Sequence, residues 1–153
     1  MGDTTANPQT SEEYYDLWVL LQQAHYIIGR LREAELKELN LSMTQAKVLA
    51  VIESLDSPAT PAEIARHVLR APHTVSELIS RMAARGLVRK VKDLGRKNMV
   101  RIEITEKGLQ IYGQSKRMKY ISEVVSELPA MDRKTLDSYL TKLRNLALDK
   151  VEK

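Results

Sequence analysis

The chain has 153 residues, of which 43% are hydrophobic, enough for one domain with a core of ordinary size. Because it contains no cysteine, disulfide bonds, thiolate metal sites and cysteine-based redox sensing are excluded. The net charge is only +4, but ten basic and three acidic residues lie between positions 61 and 101, which suits a surface that binds a polyanion.

The first predicted element is a long helix over residues 11–37, which follows a polar and aperiodic segment, 1–10. That segment lacks the apolar core of a signal peptide, and no apolar run in the chain is long enough to span a bilayer. We therefore expect a soluble, cytoplasmic protein. The apolar stripe of the helix is wider than one neighbouring helix requires, which favours burial against more than one partner. Its members include Leu17, Leu21, Ala24, Ile28 and Leu31, with Trp18, Leu20 and Ile27 beside them.

Two capping boxes, at residues 42–45 and 60–63, predict the starts of the next two helices. Each has a hydroxyl residue at the cap and a glutamine or glutamate three residues later. The first helix is expected to serve as core scaffold. The second should end near Leu69 in a tight turn, because the residue before Pro72 avoids the helical region.

A further helix is predicted from Pro72 to about Arg85, with Gly86 as its C-terminal stop. Its apolar stripe consists of Val75, Leu78, Ile79 and Met82. At about 100° per residue, the opposite face carries His73, Glu77, Ser80 and Ala84. One flank carries Thr74, Arg81 and Arg85. A polar helix held against a preceding one by a short turn is the arrangement that places side chains in a DNA major groove.

A period of two after Gly86 predicts a β-hairpin, with a first strand over 87–92 and a second over 99–104. Its turn holds Gly95, Arg96 and Lys97, so the tip is cationic. A helix-turn-helix followed by a basic hairpin is a winged helix. The predicted fold class is therefore mainly α with a small β-hairpin wing.

The rest of the chain predicts one helix from Glu106 to about Glu127, ended by Pro129, and a last helix over 131–151. These long terminal helices carry more apolar surface than is needed to cover a small winged domain, so we expect them to pair with a second copy of the chain. The predicted division is an N-terminal dimerisation helix over 11–40, a DNA-binding domain over 41–105 and C-terminal dimerisation helices over 106–153.

Enzyme function has no support in the sequence, which lacks a glycine-rich phosphate loop and a nucleophile elbow. The three histidines, His25, His67 and His73, fall on different predicted helices, and none has a second histidine three or four residues on. We therefore expect no catalytic residues, no cofactor and no metal site. A metal-responsive regulator and a winged helix used as a protein-interaction module stay open as alternatives, although such a module would not need Arg81, Arg85, Arg96 and Lys97 together.

Residues 41–108 resemble the MarR family (multiple antibiotic resistance regulator) of winged helix-turn-helix transcription factors. The resemblance is carried by Leu-Ser-x-x-Gln at 41–45, Ala-Glu-Ile-Ala at 62–65, Thr-Val-Ser at 74–76, Arg-Gly-Leu-Val at 85–88 and Ile-Thr-Glu-Lys-Gly at 104–108. It implies a homodimeric regulator, more often a repressor, that binds a pseudo-palindromic operator with two recognition helices in successive major grooves.

On this resemblance, His73 and Glu77 are expected to meet base edges, beside Pro72 at the start of the recognition helix. Residues suited to phosphate contacts are Thr74, Ser76 and Arg81, with Arg70 and Arg85 on the flanks. The family's Asp-x-Arg in the wing is replaced here by Arg96-Lys97-Asn98. Arg96 or Lys97 is therefore expected to make the minor-groove contact, because a narrow minor groove has an enhanced negative potential.

The family resemblance also implies a small aromatic or anionic effector bound between the dimerisation helices and the winged domain. Trp18, His25, Tyr26 and Arg30 place aromatic and cationic groups within two turns of the first helix and are the candidates for lining that cleft. Core and interface packing is the alternative role for these four residues.

Overall fold

The computed structural model describes residues 8–56, 58–92, 95 and 99–151. Seven helices and one hairpin appear in these ranges: α1 (Pro8–Glu38), α2 (Met43–Ser54), α3 (Pro61–Val68), α4 (Pro72–Ala84), β1 (Val88–Lys92), β2 (Val100–Ile104), α5 (Glu106–Ser115), α6 (Lys119–Ser126) and α7 (Ala130–Val151). The predicted class, mainly α with a β-hairpin wing, is confirmed. The chain forms two compact units, which divide between Arg117 and Met118.

The first predicted capping box is confirmed in full at the start of α2. The Ser42 hydroxyl accepts from the Gln45 amide at 3.1 Å, and the Gln45 side chain accepts from the Ser42 amide at 3.0 Å. At α3 only half of the predicted box forms. Thr60 Oγ1 accepts from the Glu63 amide at 3.2 Å, but the Glu63 carboxylate instead accepts from Arg66 at 2.7 Å. An exposed guanidinium within one turn provides the carboxylate with a charged partner, which makes a stronger hydrogen bond than an amide does.

The turn between α3 and α4 lies where the sequence predicts it. Leu69 adopts a left-handed conformation with φ of 54°, and its side chain is exposed. The Arg70 amide closes the turn by donating to the Ala65 carbonyl at 3.1 Å. The chain then enters α4 at Pro72, whose fixed φ suits the first helical position.

The core of the first unit lies beneath α4. Val75, Ile79 and Met82 are completely buried, which confirms the predicted apolar stripe. They belong to one cluster with apolar side chains from α1, α2, α3 and the hairpin. Other fully buried members are Leu36, Val48, Leu49, Ile64 and Leu87. This burial fixes which side of α4 faces outward.

The hairpin is held by the chain segments on either side of it and by the loop between α2 and α3. Its strands pair antiparallel with Val88 opposite Ile104, and the Ile102 amide donates to the Ala59 carbonyl at 2.7 Å. Gly86 takes a positive φ of 73° at the end of α4, as expected for a helix stop. Thr105 then caps α5 while its hydroxyl donates to the Gly86 carbonyl.

The prediction of one helix from residue 106 to 127 is wrong, because the chain breaks between α5 and α6. Met118 adopts a left-handed conformation with φ of 50°, and the Ser115 hydroxyl donates to the Tyr112 carbonyl at 2.7 Å. Tyr112 and Ile121 are nine residues apart, which is about two and a half helical turns. In a continuous helix they would lie on opposite faces and could not belong to one apolar stripe. The apolar pattern therefore agrees with a break between α5 and α6.

The second unit consists of α6 and α7, and no residue in either helix is buried. Arg133 donates to the Leu128 carbonyl at the junction between them. Across the described ranges, none of the helices combines the length and the apolar character needed to cross a bilayer.

Candidate nucleic-acid interface

The polar side of α4 is exposed to solvent. Its apolar stripe is turned into the core, so the opposite side chains face outward. The exposed set comprises Pro72, His73, Thr74, Ser76, Glu77, Ser80 and Arg81. An open groove on this side is lined by Ser76, Glu77, Ser80 and Arg81. The structure therefore brings the six predicted residues of the recognition helix onto one accessible surface.

The N-terminus of α4 has no side-chain cap. Ala71 occupies the cap position, and the first intrahelical bond runs from the Val75 amide to the Ala71 carbonyl at 3.1 Å. The amides of His73 and Thr74 precede that bond, and Pro72 has no N–H. By contrast, α2, α3 and α5 each begin with a hydroxyl residue that accepts from the third helical amide. Free amides at the positive end of a helix dipole suit an anion such as a phosphate.

The two flanks of the exposed face of α4 carry different side chains. Thr74 and Arg81 lie on one flank of α4, and Ser76 lies on the other. On the Ser76 side, Lys90 of β1 reaches across and donates from Nζ to Ser80 Oγ at 2.8 Å. The Ser80 hydroxyl in turn donates to the Ser76 carbonyl at 3.0 Å. The hairpin therefore contributes a cation to the exposed side of α4.

The other face of the hairpin holds a compact group of charges. Glu103 pairs with Arg89 at 2.6 Å and with Arg101 at 3.0 Å. The hydrogen bond from Arg89 is the main reason that the pKa of Glu103 lies below its usual value. The predicted wing-tip residues, Arg96 and Lys97, lie outside the described residues.

The predicted flanking arginines occupy opposite ends of α4. Arg70 is exposed in the turn that precedes the helix. Arg85 caps the other end and is half-buried, with Nη1 donating to Gln45 Oε1 of α2 at 3.2 Å. Its carbonyl accepts from Lys107 Nζ at 2.9 Å. Arg85 therefore links α4 to the α2 N-terminus, a contact that its sequence position did not indicate.

The four candidate effector residues are all exposed on α1. Arg30 Nη1 donates to the Tyr26 hydroxyl at 3.3 Å, so these two are in contact. Trp18 and His25 are seven residues apart and share a helix face, and the Trp18 ring lies 6.0 Å from that of Tyr15. Within the described residues, no group of three or more histidine, aspartate or glutamate side chains is arranged to hold a metal ion.

Residues 39–97 match the sequence model of the MarR family. The chain is 33% identical to the organohalide-sensing transcriptional regulator RdhR-CbdbA1625, with 97% of this chain and 89% of that chain covered. The TM-score to its 2,4-dichlorophenol-bound form is 0.71.

The chain belongs to the MarR family.

More distant solved structures share the fold of this MarR-family protein. Wild-type MarR from E. coli, in its apo form, is 23% identical, with 83% of this chain and 96% of that chain covered and a TM-score of 0.69. A mutant of the same protein complexed with operator DNA has a TM-score of 0.68, at 23% identity and coverage of 86% and 95%. MepR from S. aureus, a regulator of the multidrug efflux pump MepA, is 18% identical, with coverage of 84% and 96% and a TM-score of 0.71. No curated protein matches the chain.

Sequence analysis of this MarR-family protein missed the position of Lys90. The signal was available in β1, because alternate residues of a strand share a face and Lys90 follows Val88 by two. Val88 is buried, and Ile102, which pairs with Lys90, is buried as well. Lys90 therefore belongs to the side of the hairpin that meets the helices, and only its length brings its ammonium back to solvent.

Proposed function

We propose that this MarR-family regulator is a repressor that binds a pseudo-palindromic DNA duplex as a homodimer. The observation that carries the proposal is the polar side of α4, exposed along its length and backed by a buried apolar stripe. A B-DNA major groove about 12 Å wide admits an α-helix presented in this way. Repression then follows from occupation of an operator.

The exposed side chains divide into two roles. His73 and Glu77 point away from the core near the start of α4 and are assigned to base edges. Hydroxyl and guanidinium groups beside them are assigned to phosphates, which fix the register of the helix without carrying sequence information. The phosphate set is Thr74, Ser76 and Arg81, with Arg70 before the helix, Arg85 after it, and Arg96 or Lys97 in the wing.

The dimer is supported by apolar side chains that the single chain leaves in water. On α1, Tyr14, Leu20 and Ile27 are each at least 60% exposed. On α7, Met131 and Tyr139 are exposed by 70% and 63%. Large apolar side chains left exposed on each of these helices mark interaction surfaces, and a symmetric pair of chains would cover them. Two-fold symmetry would also place two copies of α4 about one DNA turn apart.

An effector of the aromatic class is the proposed signal for release. The relative with 33% identity was solved with 2,4-dichlorophenol. Trp18, His25, Tyr26 and Arg30 offer ring faces, an imidazole and a guanidinium for a molecule of this type. An effector that binds better to a dimer with the wrong spacing of its two α4 helices would lower operator affinity by population shift.

The test begins with selection of bound duplexes from a randomised DNA pool, followed by footprinting on the DNA beside the protein's own gene. We expect two protected half-sites separated by about 10 base pairs, and sedimentation of the protein as a dimer. Transcription of a template carrying the recovered site should fall when the protein is added. Recovery of no common sequence, or a monomer protecting a single half-site, would contradict the proposal.

The wing is tested separately by alanine at positions 96 and 97. Arg96→Ala and Lys97→Ala should flatten the dependence of affinity on salt by about one unit for each phosphate that is no longer neutralised. An unchanged slope in both variants would remove the wing from the interface.

A further inference from the structure

Only one of the two flanks of α4 carries a cation of its own, and this difference matters if α4 lies in a DNA groove as proposed. A helix in the major groove has one phosphate backbone on each side. Arg81 supplies a cation to one flank of α4. The other flank has no charged residue of its own, since its members are Pro72, Ser76 and Ala83. A helix held by phosphates on one side only would be free to roll, and base contacts need a fixed orientation.

The Lys90 ammonium contacts α4 at Ser80, which at about 100° per residue lies nearer to Ser76 than to Arg81 on the outward face. The ammonium is 2.8 Å from the Ser80 hydroxyl, which itself donates to the Ser76 carbonyl. The Ser80 hydroxyl therefore acts toward Lys90 as an acceptor and holds the ammonium beside α4. An ammonium has three N–H donors, so two remain after the bond to Ser80.

The charge of Lys90 is also distinct from that of its neighbours on the hairpin. Arg89 and Arg101, on the opposite face, share the Glu103 carboxylate. No carboxylate in the described part of the chain forms an ion pair with Lys90. The hairpin thus has one face whose charges are partly neutralised by Glu103. Its other face carries Lys90 and Lys92, and the Lys90 ammonium is directed to the exposed side of α4.

We propose that Lys90 is a DNA-positioning residue, which binds the phosphate backbone on the Ser76 side of α4 while Arg81 binds the backbone on the other side. Ser80 fixes the ammonium in place and couples the hairpin to the recognition helix. The inference rests on the proposed function, since it concerns how the same surface holds DNA. It adds a residue that the sequence pattern did not single out.

Salt dependence measures the proposed interaction directly. Each phosphate neutralised contributes about 0.9 to the slope of log affinity against log salt concentration. Lys90→Gln should therefore lower the slope by about 0.9 for each subunit bound, or about 1.8 for a dimer. Between about 50 and 200 mM salt, the variant dimer should lose about 12-fold less affinity than the wild type loses.

Three matched variants separate charge from structure. Arg89→Gln removes the same charge from the adjacent residue on the opposite face, and its slope should stay that of the wild type. Lys90→Arg should restore the wild-type slope. Ser80→Ala keeps the cation but removes its anchor, so affinity should fall about twofold to fivefold, as expected for removal of one exposed hydrogen bond, with no change in slope.

The probes are the duplex recovered by selection and a scrambled duplex of the same length and composition. Lys90→Gln should weaken binding to both duplexes and lower the salt slope on both by the same amount, because a phosphate contact carries no sequence information. Circular dichroism spectra of the four variants should match the wild type, and so should thermal unfolding of the Lys90 and Ser80 variants, since both residues are exposed. Arg89→Gln should keep the wild-type spectrum and unfold at a slightly lower temperature, because it loses its ion pair with Glu103. A variant whose spectrum differs from that of the wild type is left out of the comparison. Lys90→Gln and Lys90→Arg are then compared with the wild type and with whichever control variant remains.

The inference is overturned if Lys90→Gln leaves the slope unchanged, if Arg89→Gln lowers it equally, or if only the selected duplex is weakened. These results differ from failure of the proposed function, in which the wild type itself shows no salt-dependent binding to either duplex. A wild-type protein that binds DNA while Lys90→Gln behaves identically would leave the regulator proposal standing and remove Lys90 from the interface.

Discussion

Gly108→Ala tests whether the hairpin and α5 are held together by close backbone contact. A Cβ at this position would lie 2.0 Å from the Leu87 carbonyl oxygen and 2.7 Å from Ile104 Cγ2, where real Cβ contacts stay beyond 3.0 Å. The obstructing atom belongs to the backbone, so the start of α5 must move by about 1 Å. That movement would break the 3.0 Å bond between the Gly108 amide and Thr105 Oγ1, which also binds the Gly86 carbonyl.

The magnitude follows from three contributions. Overpacking of this kind costs about 1–3 kcal/mol, and loss of the threonine cap costs about 1 kcal/mol. Alanine regains about 1 kcal/mol of helix propensity over glycine. We therefore expect Gly108→Ala to lower the free energy of unfolding by about 1–3 kcal/mol, measured by urea denaturation followed by circular dichroism.

Gly113→Ala in the same helix is the matched control. Apart from the adjacent residues and the backbone of its own helix, nothing in the described part of the chain lies within 4 Å of the Cβ position at Gly113. The substitution should therefore raise the free energy of unfolding by about 0.4–1 kcal/mol, as expected for glycine replaced in a compatible helical conformation. If Gly108→Ala were as stable as Gly113→Ala, close approach of the two backbones would be refuted as the reason for glycine at position 108.

Three further predictions concern base contacts, a helix cap and an ion pair. His73→Ala and Glu77→Ala should each change which bases are preferred more than overall affinity, as measured by repeating the DNA selection; equal weakening on every sequence would exclude base contact. Ser42→Ala should lower the free energy of unfolding by about 1 kcal/mol and Ser42→Gly by only a few tenths, with equal losses arguing against the cap. Because the hydrogen bond from Arg89 lowers the folded-state pKa of Glu103, its stabilising effect should be full above the unfolded pKa of about 4.3 and disappear as pH falls through the folded pKa. Urea unfolding of wild type and Glu103→Gln should therefore differ at about pH 7 and converge in acid, and a constant difference would contradict this origin.

The helix-turn-helix could be predicted from the sequence because its signals are local. The cap of α2 involves residues only three positions apart, and the stop at Gly86 depends on one backbone conformation. The buried stripe of α4 follows from helical periodicity alone. Each of these features is decided within one or two turns of chain, and each agrees with the structure.

Features that depend on packing between distant segments were not predictable in the same way. Lys90 lies beside Ser80 only because β1 packs next to α4, and Arg85 meets Gln45, which is 40 positions earlier. The break at Met118, by contrast, had a local signal, because Tyr112 and Ile121 are too far out of phase to share one face of a continuous helix. Which cations are exposed, and which side chains they contact, could therefore be determined only from the tertiary structure.

Ala71 gives the free protein a weakness at the start of its most exposed helix. A serine or aspartate there would stabilise the chain by about 1 kcal/mol. Its side-chain oxygen would also accept from the amide of His73 or Thr74, as the hydroxyl caps of α2, α3 and α5 accept from the third amide of their helices. Ala71 therefore leaves the first amides of α4 without a side-chain partner, and a DNA phosphate bound there in the proposed complex would complete the helix N-terminus.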